Sequence, residues 1–202
     1  MNTKSIISAV AGLTLLAASF GAASANDGGG GGGGGGGSGY CHGALVTIVG
    51  TPMNDVIVGT AGPDVIAALA GDDSITGLGD NDIICAGPGR DKMIGGPGND
   101  LLDGETGNDT ASYETSPAGV IADLSIGMAL MDGFGFVDSL VSVENLTGSP
   151  WNDQLTGAVG PNQLRGLSGN DSLQDVAFGD GDTGWGNLGA DVCGAQVEAC
   201  FP

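Results

Sequence analysis

The chain has 202 residues, with 24 Asp and Glu against 4 Lys and Arg, a formal charge of -20, 42 glycines and 4% aromatic residues. This balance excludes nucleic acid as a natural partner, because phosphate recognition depends on clustered Lys and Arg, and it points to cations instead. High glycine with few large side chains excludes an ordinary globular core, while 41% hydrophobic residues exclude simple disorder, leaving a narrow core repeated many times.

Residues 1–25 read as a secretory signal peptide. Lys4 supplies the basic start, residues 6–20 the apolar stretch, and Ala23, Ser24 and Ala25 the small residues of a cleavage site. Cleavage removes Lys4 and no acid, so the mature charge becomes 3 - 24 = -21. Residues 5–25 are also long enough to cross a bilayer, so a retained anchor is the alternative. After cleavage no span remains, and the protein is expected to be secreted and extracellular. Residues 26–39 form a flexible linker, with ten consecutive glycines at 28–37 that bury no side chain.

Residues 40–112 form a first repeat block. From residue 50, seven nine-residue units follow one another, each with aspartate at its sixth position: Asp55, Asp64, Asp73, Asp82, Asp91, Asp100 and Asp109. The eighth position is apolar throughout: Ile57, Ile66, Ile75, Ile84, Met93, Leu102 and Ala111. A degenerate unit precedes them, with Thr47, Ile48 and Val49 in strand register and Val46 in the aspartate place, suited to cap the first coil. Residues 113–147 break the beat and form a connecting β segment, with strands expected at 120–124 and 136–143 around a stretch rich in Gly and Met. Residues 148–202 form a second, degenerate block. There Asp153, Asn162 and Asp171 are nine apart over Leu155, Leu164 and Leu173, before the spacing slips by two to Asp182 and recovers to Asp191.

The unit Gly-Gly-x-Gly-x-Asp-x-apolar-x alternates a tight turn with a three-residue strand whose middle side chain points inward. Two units then make a coil of 18 residues, and coils stack about 4.8 Å apart as parallel strands. The fold class is all-β, a parallel β-roll with two repeats per coil. Its aspartates fall in two columns, Asp55, Asp73, Asp91 and Asp109 on one edge and Asp64, Asp82 and Asp100 on the other. Like charges so placed raise one another's proton affinity unless a cation lies between them. Ca2+ suits carboxylates and carbonyls in flexible geometry, whereas Mg2+ demands a stricter octahedron, and Zn2+ finds no ligand set in a lone His42 and scattered cysteines. A parallel coil stacked without metal, with Asp serving only its turns, is the alternative.

The segments Gly95-Gly96-Pro97-Gly98-Asn99-Asp100-Leu101-Leu102-Asp103 and Gly104-Glu105-Thr106-Gly107-Asn108-Asp109 resemble the haemolysin-type calcium-binding repeat, the RTX nonapeptide. The likeness spans residues 46–112 closely and 142–191 more loosely. It implies a β-roll that binds several Ca2+ ions between coils through the aspartates at position six and turn carbonyls, with Asp153 and Asp171 as the ligands of the second block. Arg90 and Lys92 beside Asp91 are expected to weaken that site or to pair with spare carboxylates, and Asn162 keeps an oxygen but loses the charge.

Four cysteines behind a secretory signal imply two disulfides in one of three pairings. Cys41-Cys85 and Cys193-Cys200 are favoured, since each pair lies within or beside one block, and they contribute about 4 and about 2.5 kcal/mol in the chain-entropy model. Even-numbered units turn Val65, Ala67, Ile83, Cys85 and Leu101 outward, while odd units present Ser74, Thr76, Lys92, Thr110 and Ser112. The apolar even face needs a cover. Residues 40–45 held by Cys41-Cys85 are one, and self-association or a surface partner is the other.

No second histidine joins His42 and no Gly-x-Ser-x-Gly stretch exists, so no catalytic residues are expected. The expected function is secreted calcium binding coupled to folding, with Ca2+ as the sole cofactor. The alternative is an adhesive or matrix module at a cell surface that uses the roll as a calcium-stiffened scaffold.

Overall fold

The computed structural model describes residues 5–8, 39–174, 183–185, 192–193 and 199–201. The expected leader, apart from residues 5–8, and the glycine run lie outside the described residues, as do Asp182 and Asp191. Among the described residues every regular element is a strand. No helix there is long and apolar enough to cross a membrane.

Position eight makes the core. Ile57, Ile66, Ile75, Ile84, Met93, Leu102 and Ala111 are each at most 1% exposed, and Leu146, Leu155, Leu164 and Leu173 continue the stack. Because side chains alternate along a strand, a three-residue strand centred on one apolar residue sends that residue inward and its neighbours out. Those strands are Val65–Ala67, Ser74–Thr76, Ile83–Cys85, Lys92–Ile94, Leu101–Asp103 and Thr110–Ser112.

The strands alternate between two sheets, and within each sheet neighbours pair parallel at an offset of 18 residues. Ser74 lies opposite Val56 and Lys92 in one sheet, and Ile83 lies opposite Val65 and Leu101 in the other. Ile48–Val49 extends the second sheet by pairing with Val65–Ala67, so the degenerate first unit does cap the coil. At the same end Ser5–Ser8 adds parallel to Asp55–Val58, where an open first coil presents unpaired backbone groups that an apolar strand satisfies.

The connecting segment stays within the roll. Asp138–Val141 pairs parallel with Leu101–Asp103, and Asn145–Thr147 pairs parallel with Thr110–Ser112, so both sheets run on without a gap. In the even sheet, between Asp138–Val141 and Gln154–Thr156, Ile121–Asp123 and Met128–Met131 form an antiparallel hairpin. The sequence reading places strands near the first and last of these elements but none at Met128–Met131. Residues 127–135 show no clear alternation, and the hairpin's register comes from the strands on either side of it.

Turn position two is left-handed in units three to seven, at Leu69 (φ 79°), Leu78 (φ 86°), Gly87, Gly96 and Glu105 (φ 60°), and again at Leu167 (φ 77°). Leu78 is exposed and strained, since an L side chain disfavours this region. Leu78→Gly is expected to raise the thermal midpoint by about 2 °C, about 0.5–1 kcal/mol of relieved strain net of glycine's extra unfolded entropy. A lower midpoint in a scanning melt refutes this reading of the turn.

A hairpin of Tyr40–Cys41 and Ala44–Leu45 lies over the even sheet, against Val65–Ala67 and Ile83–Cys85. A disulfide joins Cys41 to Cys85, and both are buried with Ala67 beneath the hairpin. Cys193 is disulfide-bonded, while the side chain of its expected partner Cys200 lies outside the described residues.

Candidate metal centre

Each aspartate at position six is buried, from Asp55 through Asp109 and again at Asp153 and Asp171. Burial of so many carboxylates without cationic side chains is costly unless each gains compensating contacts. The first compensation is a ladder. Asp73 Oδ1 accepts the backbone N–H of Asp55 (2.7 Å), Asp91 that of Asp73 (2.7 Å) and Asp109 that of Asp91 (2.8 Å). On the other edge Asp82 accepts from Asp64 (2.8 Å) and Asp100 from Asp82 (2.9 Å). Each carboxylate therefore fixes the spacing to the preceding coil.

The ladders extend into residues that sequence spacing did not single out. Asp138 Oδ1 accepts from Asp100 N–H (3.0 Å), and Glu144 Oε2 accepts from Asp109 N–H (2.8 Å). They follow Asp100 and Asp109 by 38 and 35 residues instead of 18, which erases the beat while the strand register persists. The motif Asp-Ser-Leu-Val at 138–141 was the available signal, an aspartate two places before a core leucine. The Tyr113 hydroxyl donates to Asp138 Oδ2 (3.1 Å) and closes the even column of the first block. In the second block Asp171 accepts from Asp153 N–H (2.9 Å), and Asp153 from Val120 N–H (2.8 Å). Asn162 uses its Oδ1 on Ala158 N–H (2.6 Å) within its own turn, and its Nδ2 donates to the Glu144 carbonyl (2.8 Å).

The second carboxylate oxygen separates the units into two kinds. In Asp55, Asp64 and Asp153 it accepts the position-two N–H of the same turn, from Thr51 (2.5 Å), Thr60 (2.6 Å) and Ser149 (2.7 Å). In Asp73, Asp82, Asp91, Asp100 and Asp109 it is buried and accepts no hydrogen bond. In all five of those units position two is left-handed, whereas Thr51, Thr60 and Ser149 are not. A left-handed turn rotates the position-two peptide so that its N–H no longer caps the carboxylate. The physical bias is readable in part: threonine is β-branched, and Thr51 and Ser149 precede prolines, both of which disfavour positive φ.

Burial dominates the titration of these groups, pushing Asp82 and Asp91 up to about 7 and Asp73, Asp100 and Asp109 up to about 6, against the lowering effect of the ladder hydrogen bonds. Neighbouring carboxylates add to the rise for each of them. Asp138 is likewise pushed up to about 7, chiefly by burial, and Asp153 is raised by burial.

The unmatched oxygens face crowded, oxygen-rich turns. A Cβ at Gly77 would meet both Asp82 Oδ2 and the Gly95 carbonyl oxygen, and one at Gly98 would meet the Asp80 carbonyl and Asp100 Oδ1. Hard oxygen donors converging from carboxylate and backbone, with no sulfur or imidazole in either column, fit calcium and not zinc. Of the two expectations for the cations beside Asp91, Lys92 meets the second, since it pairs with the carboxylate of Glu114 (2.6 Å), which lies outside the columns.

His42, Cys85 and Asp103 bring their ligand atoms within 4.8 Å of one another, a grouping invisible in the sequence. Cys85 is committed to its disulfide, and His42 Nε2 lies 2.7 Å from Asp103 Oδ2, so this cluster fastens the hairpin to the roll.

Stacked coils bordered by two files of buried aspartates define a class of protein, the parallel β-roll with oxygen-lined turns that take cations. Residues 49–84, 86–111 and 146–174 match the RTX calcium-binding nonapeptide repeat in four copies, and the chain carries these repeats. No curated protein matches it.

Proposed function

We propose that the chain is a secreted, non-enzymatic calcium-binding protein whose roll closes only when Ca2+ occupies its turns. The observation that carries this reading is the set of five buried carboxylate oxygens without a hydrogen bond, at Asp73, Asp82, Asp91, Asp100 and Asp109. In that reading these five are the principal ligands, together with turn carbonyls. Asp55, Asp64 and Asp153, whose second oxygens are capped within their own turns, are structural or weaker ligands. Bound ions supply positive charge between like-charged coils, and the ladder holds each carboxylate in place before the ion arrives. Four cysteines and at least one disulfide suit an oxidising, extracellular setting where calcium is plentiful. The only histidine is tied to Asp103, which supports the absence of catalysis. Coverage of Ala67 and Cys85 by the hairpin removes part of the apolar face that an adhesive module would present.

The test is a calcium titration of residues 26–202 followed by far-ultraviolet circular dichroism. A cooperative gain of β signal is expected. Asp91→Asn keeps an acceptor for Asp73 N–H but removes the charge and the unmatched oxygen, and it should shift the midpoint by about tenfold or more. Asp55→Asn should shift it less. Full β signal in chelator, or equal shifts for the two variants, removes the proposal.

A further inference from the structure

Three of the chain's four Lys and Arg residues, Arg90, Lys92 and Arg165, line one pocket of about 200 Å3 on the outer face of the odd sheet. They come from sequence positions up to 75 residues apart, in a chain of net charge -20. Stacking brings them together. Lys92, Thr110, Asn145 and Gln163 occupy the same place on four successive strands, paired Lys92 to Thr110, Thr110 to Asn145 and Asn145 to Gln163. Arg165 lies two residues on from Gln163 and in register with Thr147. A protein so short of cations, with acids on nearly every turn, gains nothing in solubility from gathering them on one face. An opposing hairpin covers part of the even sheet, but no described element lies over this pocket.

We propose that this pocket binds one anionic sugar unit of an acidic glycan, its carboxylate or sulfate held by Arg90 and Arg165 and its hydroxyls by Thr110, Thr147 and Gln163. Guanidinium groups match such oxyanions bidentately. Hydroxyl and amide side chains at strand spacing offer both donors and acceptors to ring hydroxyls. No aromatic residue is among the described lining residues, so the platform on which single-stranded nucleic acid stacks is missing from them. A glycan laid along the stacking direction meets a new row of polar side chains at every coil. Glu114 works against binding, since it lines the same pocket and occupies Lys92 at 2.6 Å.

Calorimetric titration of the calcium-loaded chain with a heparin-derived hexasaccharide tests this. Arg90 and Arg165 are exposed, so the double variant Arg90→Gln, Arg165→Gln should keep the melting temperature while weakening binding about tenfold or more. Glu114→Gln should tighten binding several-fold, because it unblocks Lys92 and removes a repelling charge; a merely structural role for Glu114 does not predict this sign. Maltohexaose should not bind. The proposal is overturned if the hexasaccharide does not bind, if the double variant binds as the parent does, or if Glu114→Gln weakens binding. It is also overturned if inorganic sulfate or a single-stranded oligonucleotide binds as tightly as the hexasaccharide.

Discussion

Calcium-stripped protein is expected to regain β structure when the pH is lowered from 8 to about 4.5, so that protons stand in for the metal. The carboxyls of Asp82 and Asp91 are pushed up to about 7 in the folded chain, and those of Asp73, Asp100 and Asp109 to about 6, with burial the largest cause in each. In the unfolded chain they titrate near 3.8. The folded state therefore binds more protons than the unfolded state between about pH 4 and pH 7, and stability must fall as pH rises through that window. Protonation below it gives the full stabilisation, and ionisation above about 7 removes it. A protonated carboxyl also supplies its own donor to the crowded turn that otherwise holds only acceptors. With calcium the order reverses, because protons and Ca2+ compete for the same oxygens and acid weakens metal binding. Thermal melts from pH 8 to 4, with and without calcium, should therefore run in opposite directions. Parallel trends in the two series would show that the columns do not govern folding.

Gly96→Ala should destabilise the roll by about 3 kcal/mol or more, lowering the melting temperature by about 10 °C. Gly96 holds φ 109°, and a Cβ there would overlap the Leu78 carbonyl oxygen of the coil below. Backbone cannot yield as a flexible side chain does, so the coil must shift and strain the Asp82 to Asp100 ladder bond with it. Gly87, at φ 103° over the Leu69 carbonyl, should behave alike. Gly62→Ala supplies the control: it has open space around its Cβ direction and no positive φ, so alanine there should be neutral or stabilise by up to about 1 kcal/mol. Equal losses at Gly62 and Gly96 would mean that glycine content, and not close approach between coils, sets stability.

Strict local periodicity made the fold legible from residues alone. Aspartate at position six and an apolar residue at position eight recur every nine residues, and a three-residue strand can bury only its middle side chain, so coil length, core and columns followed from spacing. What spacing conceals is contact across coils of unequal length. Asp138 and Glu144 continue the columns 38 and 35 residues after Asp100 and Asp109, and Met128–Met131 finds its place only between strands that are already paired. His42 meets Asp103 across 61 residues because a disulfide lays the hairpin on the even sheet. The division of aspartates into capped and unmatched is likewise tertiary in its consequence. Thr51 and Thr60 leave the N–H of position two on the carboxylate, and Leu69, Leu78 and Gly87 turn it away, a choice of φ that the composition of the turn biases and the neighbouring coils complete. The sequence alone thus determined where the carboxylates stand, through local periodicity, and only the stacked coils decided which of their oxygens are left for a cation, because that depends on hydrogen bonds made between turns.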